Sequence, residues 1–278
     1  CTIINGKSGR CSENCKFCAQ SAHNHTDADT YPLLSKEEIL ADAKKQAAQG
    51  VLRYSIVTAG KALSDAEIDI MCDTIRQIRQ ETTLSVCVSF GLLTESQFCR
   101  LKETGVSRVH NNLETSERHF PNICTTHTFA DKVSAIQAAQ QAGLTVCSGG
   151  IMGMGETMAD RIDMALALRD LGITSVPVNV LSPIPGTPFG EYPTLSEEEV
   201  LGILALYRFL LPAASIRMAG GRGLLPDGGK SCFLSGANAA ITGDMLTTAG
   251  ITVQTDLQML TELGYEVKLD ETTDDHRH

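Results

Sequence analysis

The sequence predicts a (β/α)8 TIM-type barrel in a single α/β domain. Eight short apolar runs alternate with eight helical patterns along the chain. Helix-start and helix-stop residues recur at the joints, and no linker divides the 278 residues. Alternation of this kind over about 250 residues is the pattern of a parallel barrel, with a doubly wound open sheet as the alternative.

The strand candidates are 2–5, 52–57, 84–89, 108–111, 144–148, 175–180, 215–218 and 239–242. The first, second, third, fifth and sixth are rich in Val, Ile, Leu and Thr, as buried parallel strands require. The others are four residues each and are placed by their position between helices. The helical patterns span 36–49, 64–81, 95–104, 130–142, 158–170, 197–211, 229–238 and 256–263. Ser35 with Glu38, Thr94 with Gln97 and Ser196 with Glu199 have the spacing of a capping box, in which each side chain bonds the other's backbone amide. Gly50, Gly105, Gly143, Gly172 and Gly264 stand where helices should stop. We assign 1–269 to the barrel and 270–278 to a polar tail expected to fray.

The chain is 42% hydrophobic and 20% charged, which suits one domain with a sizeable core. Its net charge is −10 and no basic run occurs, which argues against a nucleic-acid partner. No apolar run reaches membrane-spanning length and no leader peptide is visible, so no membrane partner and a cytoplasmic location are expected. The sequence opens on Cys1 and not on Met, and therefore says nothing of an upstream targeting segment. Tryptophan is absent and aromatic residues are 5%, for which we have no functional account.

Ten cysteines in a domain of this size point to metal or redox chemistry and not to a disulfide framework. Three of them, Cys11, Cys15 and Cys18, have the spacing Cys-x3-Cys-x2-Cys in the loop after the first strand. A loop that tight can aim three thiolates at one iron–sulfur cube, leaving one iron open for chemistry. A zinc knuckle closed by His23 or His25 is the alternative. In a barrel, chemistry sits at the carboxyl ends of the strands, which is where this loop lies. Cys72 and Cys99 fall on helices and read as packing residues; Cys232 has no assignment.

The Cys-x3-Cys-x2-Cys loop resembles that of radical S-adenosylmethionine enzymes. Its flanks, Asn5-Gly6-Lys7-Ser8-Gly9-Arg10 and Ala19-Gln20-Ser21-Ala22-His23, are similar to the biotin synthase family in particular. The resemblance runs from Cys1 to about Leu269. It implies that Cys11, Cys15 and Cys18 hold a [4Fe–4S] cluster whose open iron chelates S-adenosylmethionine. One electron then cleaves that molecule to methionine and a 5′-deoxyadenosyl radical. The substrate it implies is dethiobiotin, which receives sulfur from an auxiliary iron–sulfur cluster to become biotin. An electron donor of flavodoxin or ferredoxin type and a homodimer are implied as well.

The same resemblance distributes roles along the strand ends. It implies that Phe17, Thr58, Ala59, His127 and Ile151 contact S-adenosylmethionine, His127 at the carboxylate and Ile151 beside the adenosine. Glu114 is assigned the ribose hydroxyls, and Asn112 and Asn179 the substrate. Read without the family, 57–61 is an ordinary turn, 110–116 a polar loop suited to a urea-like or polyhydroxyl ligand, and His127 a structural histidine. Cys87 and Cys147 match the family's auxiliary-cluster cysteines and Arg217 its arginine. The family's other cysteine position is Ser55 here, and serine is a poor ligand for iron–sulfur chemistry. Cys1, on the neighbouring strand, is our replacement ligand, with Cys124 as the rival; the cluster is either [2Fe–2S] or of four-iron type. Two other functions stand beside this one: a related radical enzyme of the hydrogenase-maturation or methylornithine-synthase type, and a non-catalytic iron–sulfur electron carrier.

Overall fold

The computed structural model describes residues 1–269; the predicted tail at 270–278 lies outside the described residues. Among the described residues nine strands form one sheet: β1 (Thr2–Lys7), β2 (Arg53–Thr58), β3 (Ser85–Ser89), β4 (Arg108–His110), β5 (Thr145–Cys147), β6 (Gly150–Met152), β7 (Ser175–Val180), β8 (Ser215–Met218) and β9 (Ala239–Ala240). Every pairing is parallel. The helices are α1 (Lys36–Ala48), α2 (Asp65–Glu81), α3 (Glu95–Glu103), α4 (Phe129–Gln141), α5 (Met158–Asp170), α6 (Glu197–Leu210), α7 (Lys230–Leu234) and α8 (Val253–Glu262).

β5 falls on the strand predicted at 144–148, and β6 continues its line past that prediction. Cys147 pairs with Ser175 and Gly150 with Val178, so the register is unchanged across the break. Between them stands Pro177, which has no N–H to give to the ladder. The first and last strands meet at Cys1. Its α-amino group donates to the Ala240 carbonyl at 3.4 Å, and its carbonyl accepts from the Thr242 amide at 2.8 Å, in the manner of a parallel bridge. The sheet thereby comes round on itself as a (β/α) barrel of the predicted class.

Strand faces alternate, and this settles what lies inside. On β2, Tyr54 and Ile56 turn to the helix layer and belong to the large apolar core, which also holds Ile39, Ile68, Ile75 and Val88. Arg53, Ser55 and Val57 turn inward, as the period of two requires. All three predicted capping boxes form, as do three more at Ser64, Thr128 and Thr157. The helix expected over 229–238 is only Lys230–Leu234. Gly236 takes a φ of 129°, and the Asn238 side chain accepts the Ile216 amide at 2.8 Å instead of continuing a helix. The last helix begins at Val253 behind a Thr252 cap, earlier than expected, and β4 stops at His110.

Candidate active site

The Cys-x3-Cys-x2-Cys loop leaves β1 just after a register shift between Asn5 and Lys7. Backbone bonds then fold it tightly. The Cys11 amide donates to the Gln20 carbonyl at 3.0 Å, its carbonyl accepts from Ala22 at 2.8 Å, and the Cys18 amide donates to Cys15 at 3.1 Å. Asn24 spans the turn, donating from Nδ2 to the Cys15 and Cys18 carbonyls at 3.2 and 2.8 Å. Burial pushes the Cys18 thiol up to about 11. Phe120, Ile123, Met154, Leu181 and Phe189 pack as a separate apolar cluster against Cys15 and Phe17. Such a layer keeps water from whatever the loop holds.

Glu13, Asn14, Cys15 and Lys16 on this loop meet the 123–127 segment, a contact that sequence reasoning missed. Glu13 Oε2 lies 2.6 Å from His127 Nδ1, and both side chains are buried. Hydrogen bonds to Glu13 and Cys124 raise the His127 imidazole against the opposing effect of burial. Cys124 sits 3.7 Å from Cys15, sulfur to sulfur. Hydrogen bonds from Cys15 and then His127 push the Cys124 thiol down, while the hydrogen bond to Cys124 and burial push the Cys15 thiol up. Cys124 stands against the outer loop and does not line the inner cavity.

That cavity, of about 340 Å³, opens at the carboxyl ends of the strands. Phe17, Asn112, Glu114, Ile151 and Asn179 line it together with Cys1, Cys87, Cys147 and Arg217. Thr58, Ala59 and His127 are outside its lining, as are Cys11, Cys15 and Cys18. Asn112 and Asn179 are locked by their own bonds. The Gly149 and Gly220 amides donate to their Oδ1 atoms at 3.0 and 2.9 Å, while their Nδ2 atoms donate to Glu114 Oε2 at 3.2 Å and to the Gly150 carbonyl at 3.1 Å. Glu114 has a positive φ of 72°, and burial raises its carboxyl. Thr58 Oγ1 is buried without a hydrogen-bond partner.

Deeper in, Ser55 pairs with Cys87 across β2 and β3 and hydrogen-bonds its thiol. Burial pushes Cys87 up; in Cys147 that effect is overcome by His110, Arg217 and Arg108, which bring the thiol down to about 6. Ser175 Oγ donates to Cys147 Sγ at 3.4 Å and accepts from Arg108 at 3.3 Å and Arg217 at 3.2 Å. Arg53 and Arg108, absent from the sequence-based assignment, thus share the wall with Arg217. A strict period-two reading of β2 would have turned Arg53 inward with Ser55. The Arg217 Nε is buried without a hydrogen-bond partner. Soft thiol donors, three cationic side chains and an unpartnered N–H suit an anionic, sulfur-ligated cluster. A larger cavity, about 520 Å³, lies toward the amino-terminal strand ends and shares Cys1, Arg53, Arg108 and Arg217 with the site.

The chain is similar to known proteins along nearly its whole length. Residues 7–168 match the Radical SAM superfamily and residues 177–266 the Biotin and Thiamin Synthesis associated domain. The fold is similar to methylornithine synthase, with a TM-score of 0.82, 19% identity and coverage of 96% of this chain and 82% of that one. It is also similar to an FeFe-hydrogenase maturase from Carboxydothermus hydrogenoformans, with a TM-score of 0.80, 18% identity and coverage of 95% and 66%. The family match over more than half of the chain makes this a radical S-adenosylmethionine enzyme, and the fold is the one such enzymes share. Biotin synthase of Brachyspira hyodysenteriae is 60% identical over 98% of this chain and 81% of its own length. Biotin synthase of Akkermansia muciniphila is 58% identical over 97% and 84%. The chain belongs to the biotin synthase family, whose members use a [4Fe–4S] cluster, S-adenosylmethionine and an auxiliary iron–sulfur cluster. No helix among the described residues is long and apolar enough to cross a membrane.

Proposed function

We propose that this chain inserts sulfur into dethiobiotin to form biotin, and that the inner cavity joins the two halves of that reaction. The observation that carries this is the shared lining: Phe17, Asn112, Glu114, Ile151 and Asn179 at the mouth, Cys1, Cys87, Cys147 and Arg217 below them. The same set favours this reading over a hydrogenase-maturation or methylornithine-type enzyme and over a passive electron carrier, which have no need of thiols at the foot of a substrate cavity.

In this reading Cys11, Cys15 and Cys18 hold the [4Fe–4S] cluster and Cys1, Cys87 and Cys147 the auxiliary one, with Arg217 as ligand or counter-charge. Bound together, these cofactors supply radical hydrogen abstraction and the inserted sulfur. The protein contributes position, charge and dryness. Thr58 and Ala59 receive the methionine end of S-adenosylmethionine, and the unpartnered Thr58 hydroxyl is suited to its amino group. His127 serves the carboxylate and Glu114 the ribose; Phe17 and Ile151 flank the adenosine. Asn112 and Asn179, already fixed by backbone bonds, present rigid amide edges to the ureido ring of the substrate. Cys147, with its thiol held low by His110 and Arg217, is ready to ligate as a thiolate. We further assign residues 1–269 to one catalytic barrel working in the cytoplasm as a homodimer, reduced by a flavodoxin or ferredoxin.

Iron and sulfide analysis with Mössbauer spectra on anaerobically reconstituted protein tests the assignment. Wild type is expected to hold about eight irons, and Cys1→Ala about four, if both clusters are of the four-iron type. About six irons in wild type would mean a two-iron auxiliary cluster. Full iron content and unaltered spectra in Cys1→Ala would overturn the role of Cys1.

A further inference from the structure

We propose that Cys15, Cys124 and His127 form a mononuclear site for a thiophilic divalent cation of the zinc class, and that this ion and the [4Fe–4S] cluster exclude each other. The ligand atoms of the three residues all lie within 4.8 Å of one another. Cys15 and Cys124 are 3.7 Å apart, sulfur to sulfur, and Cys124 Sγ is 3.3 Å from His127 Nδ1. A tetrahedral ion with metal–sulfur bonds of about 2.3 Å places two thiolates about 3.8 Å apart. Sulfurs on separate irons of a cubane stand across the whole cluster and are far more widely spaced. The pair is therefore set for one ion and not for the cube.

The site is built in advance. The Lys16 amide donates to the Ile123 carbonyl at 2.9 Å, and Asn14 exchanges bonds with Thr125 at 2.6 and 2.9 Å, so the two segments are stapled on either side of the sulfurs. Cys124 and His127 are 3% and 8% exposed, and the Phe120 ring meets the imidazole edge-on at 5.6 Å. Binding displaces two thiol protons to solvent and leaves the imidazole proton on Nε2. Glu13 then loses its bond to Nδ1, and its carboxylate is at hand for the fourth position. The exclusion clause rests on the reading above, in which Cys15 is a cluster ligand; the ion site itself does not. One sulfur cannot serve both, so a chain loaded with zinc cannot take up its cluster.

The test uses the 278-residue chain stripped of metal with a chelator under anaerobic conditions and titrated with Co²⁺. One equivalent is expected to give the visible bands of tetrahedral cobalt with thiolate charge-transfer absorption, and Zn²⁺ should bleach them. Cys124→Ser keeps a small polar side chain but loses the soft ligand; it and His127→Ala should weaken binding by more than the roughly 10–100-fold typical of an outer-shell partner. Cys11→Ala should bind cobalt as wild type does while failing to build the cluster. Zinc added first should slow iron–sulfide uptake by wild type and leave Cys124→Ser unaffected; that variant's normal cluster uptake also reports that it folds. Wild-type cobalt spectra in Cys124→Ser, or their loss in Cys11→Ala, would overturn the site. Normal cluster assembly in Cys11→Ala would instead overturn the cluster assignment, whatever the cobalt result.

Discussion

Asp160 illustrates how single residues hold the site from a distance. Its Oδ1 accepts from Ser116 at 2.6 Å and from Arg118 at 2.7 and 3.0 Å, while Oδ2 accepts the Thr157 amide and hydroxyl at 2.8 and 2.6 Å. It thus ties the loop that follows Asn112 and Glu114 to the start of α5. These bonds, working against burial, keep its carboxyl well below the usual range. A depressed carboxylate stabilises the fold above its ordinary pKa of about 4, and that stability is lost as pH falls through the folded value. Asp160→Asn should therefore cost about 1.5–3 kcal/mol at neutral pH, the worth of a hydrogen bond to a charged group. Urea midpoints of mutant and wild type should converge as the solution is acidified; a constant gap would mean that the charge is not what matters. The sequence reading passed over Asp160 because its capping rule looked for Glu or Gln at the third helical position, and Asp fills it here and at Asp131.

At the scale of elements, the fifth strand is the informative case. Its first half was legible in the alternation of 144–148, but Gly149 and Gly150 read as loop, so β6 was not foreseen. The cause is non-local: the break is imposed by Pro177 on the neighbouring strand. The glycines are there because the backbones nearly touch. A Cβ on Gly149 would stand 1.9 Å from the Pro177 carbonyl oxygen, and one on Gly150 would stand 2.3 Å from that of Glu114. Gly149→Ala should destabilise the fold by about 1–3 kcal/mol or more, as overpacking does, and shift both Cys147 and Ile151. Chemical denaturation measures the first effect; S-adenosylmethionine affinity, which should fall, measures the second. Wild-type stability would mean that the strands part at no cost. The other elements were legible because caps, stops and period are local properties, whereas Gly236 and Asn238 ended α7 through contacts the sequence does not display.

For the whole molecule, the candidate ligands are spread around the barrel: a loop after β1, then β3, β5 and β8, with Cys1 where the sheet meets itself. Groups that bind only the folded chain stabilise it by mass action, and a cluster held from several strands does so for the entire wall. Reconstituted protein should melt higher than stripped protein by about 2–4 °C for each kcal/mol gained, and Cys1→Ala should give up part of the difference. Equal melting temperatures, with both clusters loaded, would place the ligands on already rigid elements. The Cys-x3-Cys-x2-Cys loop was plain in sequence because its members are neighbours. Glu13 with His127, and Cys15 with Cys124, lie more than a hundred residues apart in sequence, and only the docking of two loops brings them together.

The inward register has a consequence for how such a protein changes over time. Ile3, Ser55, Cys87 and Arg108 stand side by side on four successive strands, each paired with the next. The residues of the apolar core lie on the opposite faces of those strands, so the hydrophobic core is drawn from one side of the wall and the chemistry from the other. A thiol can therefore move from one strand to its neighbour by single substitutions that leave the apolar layer untouched.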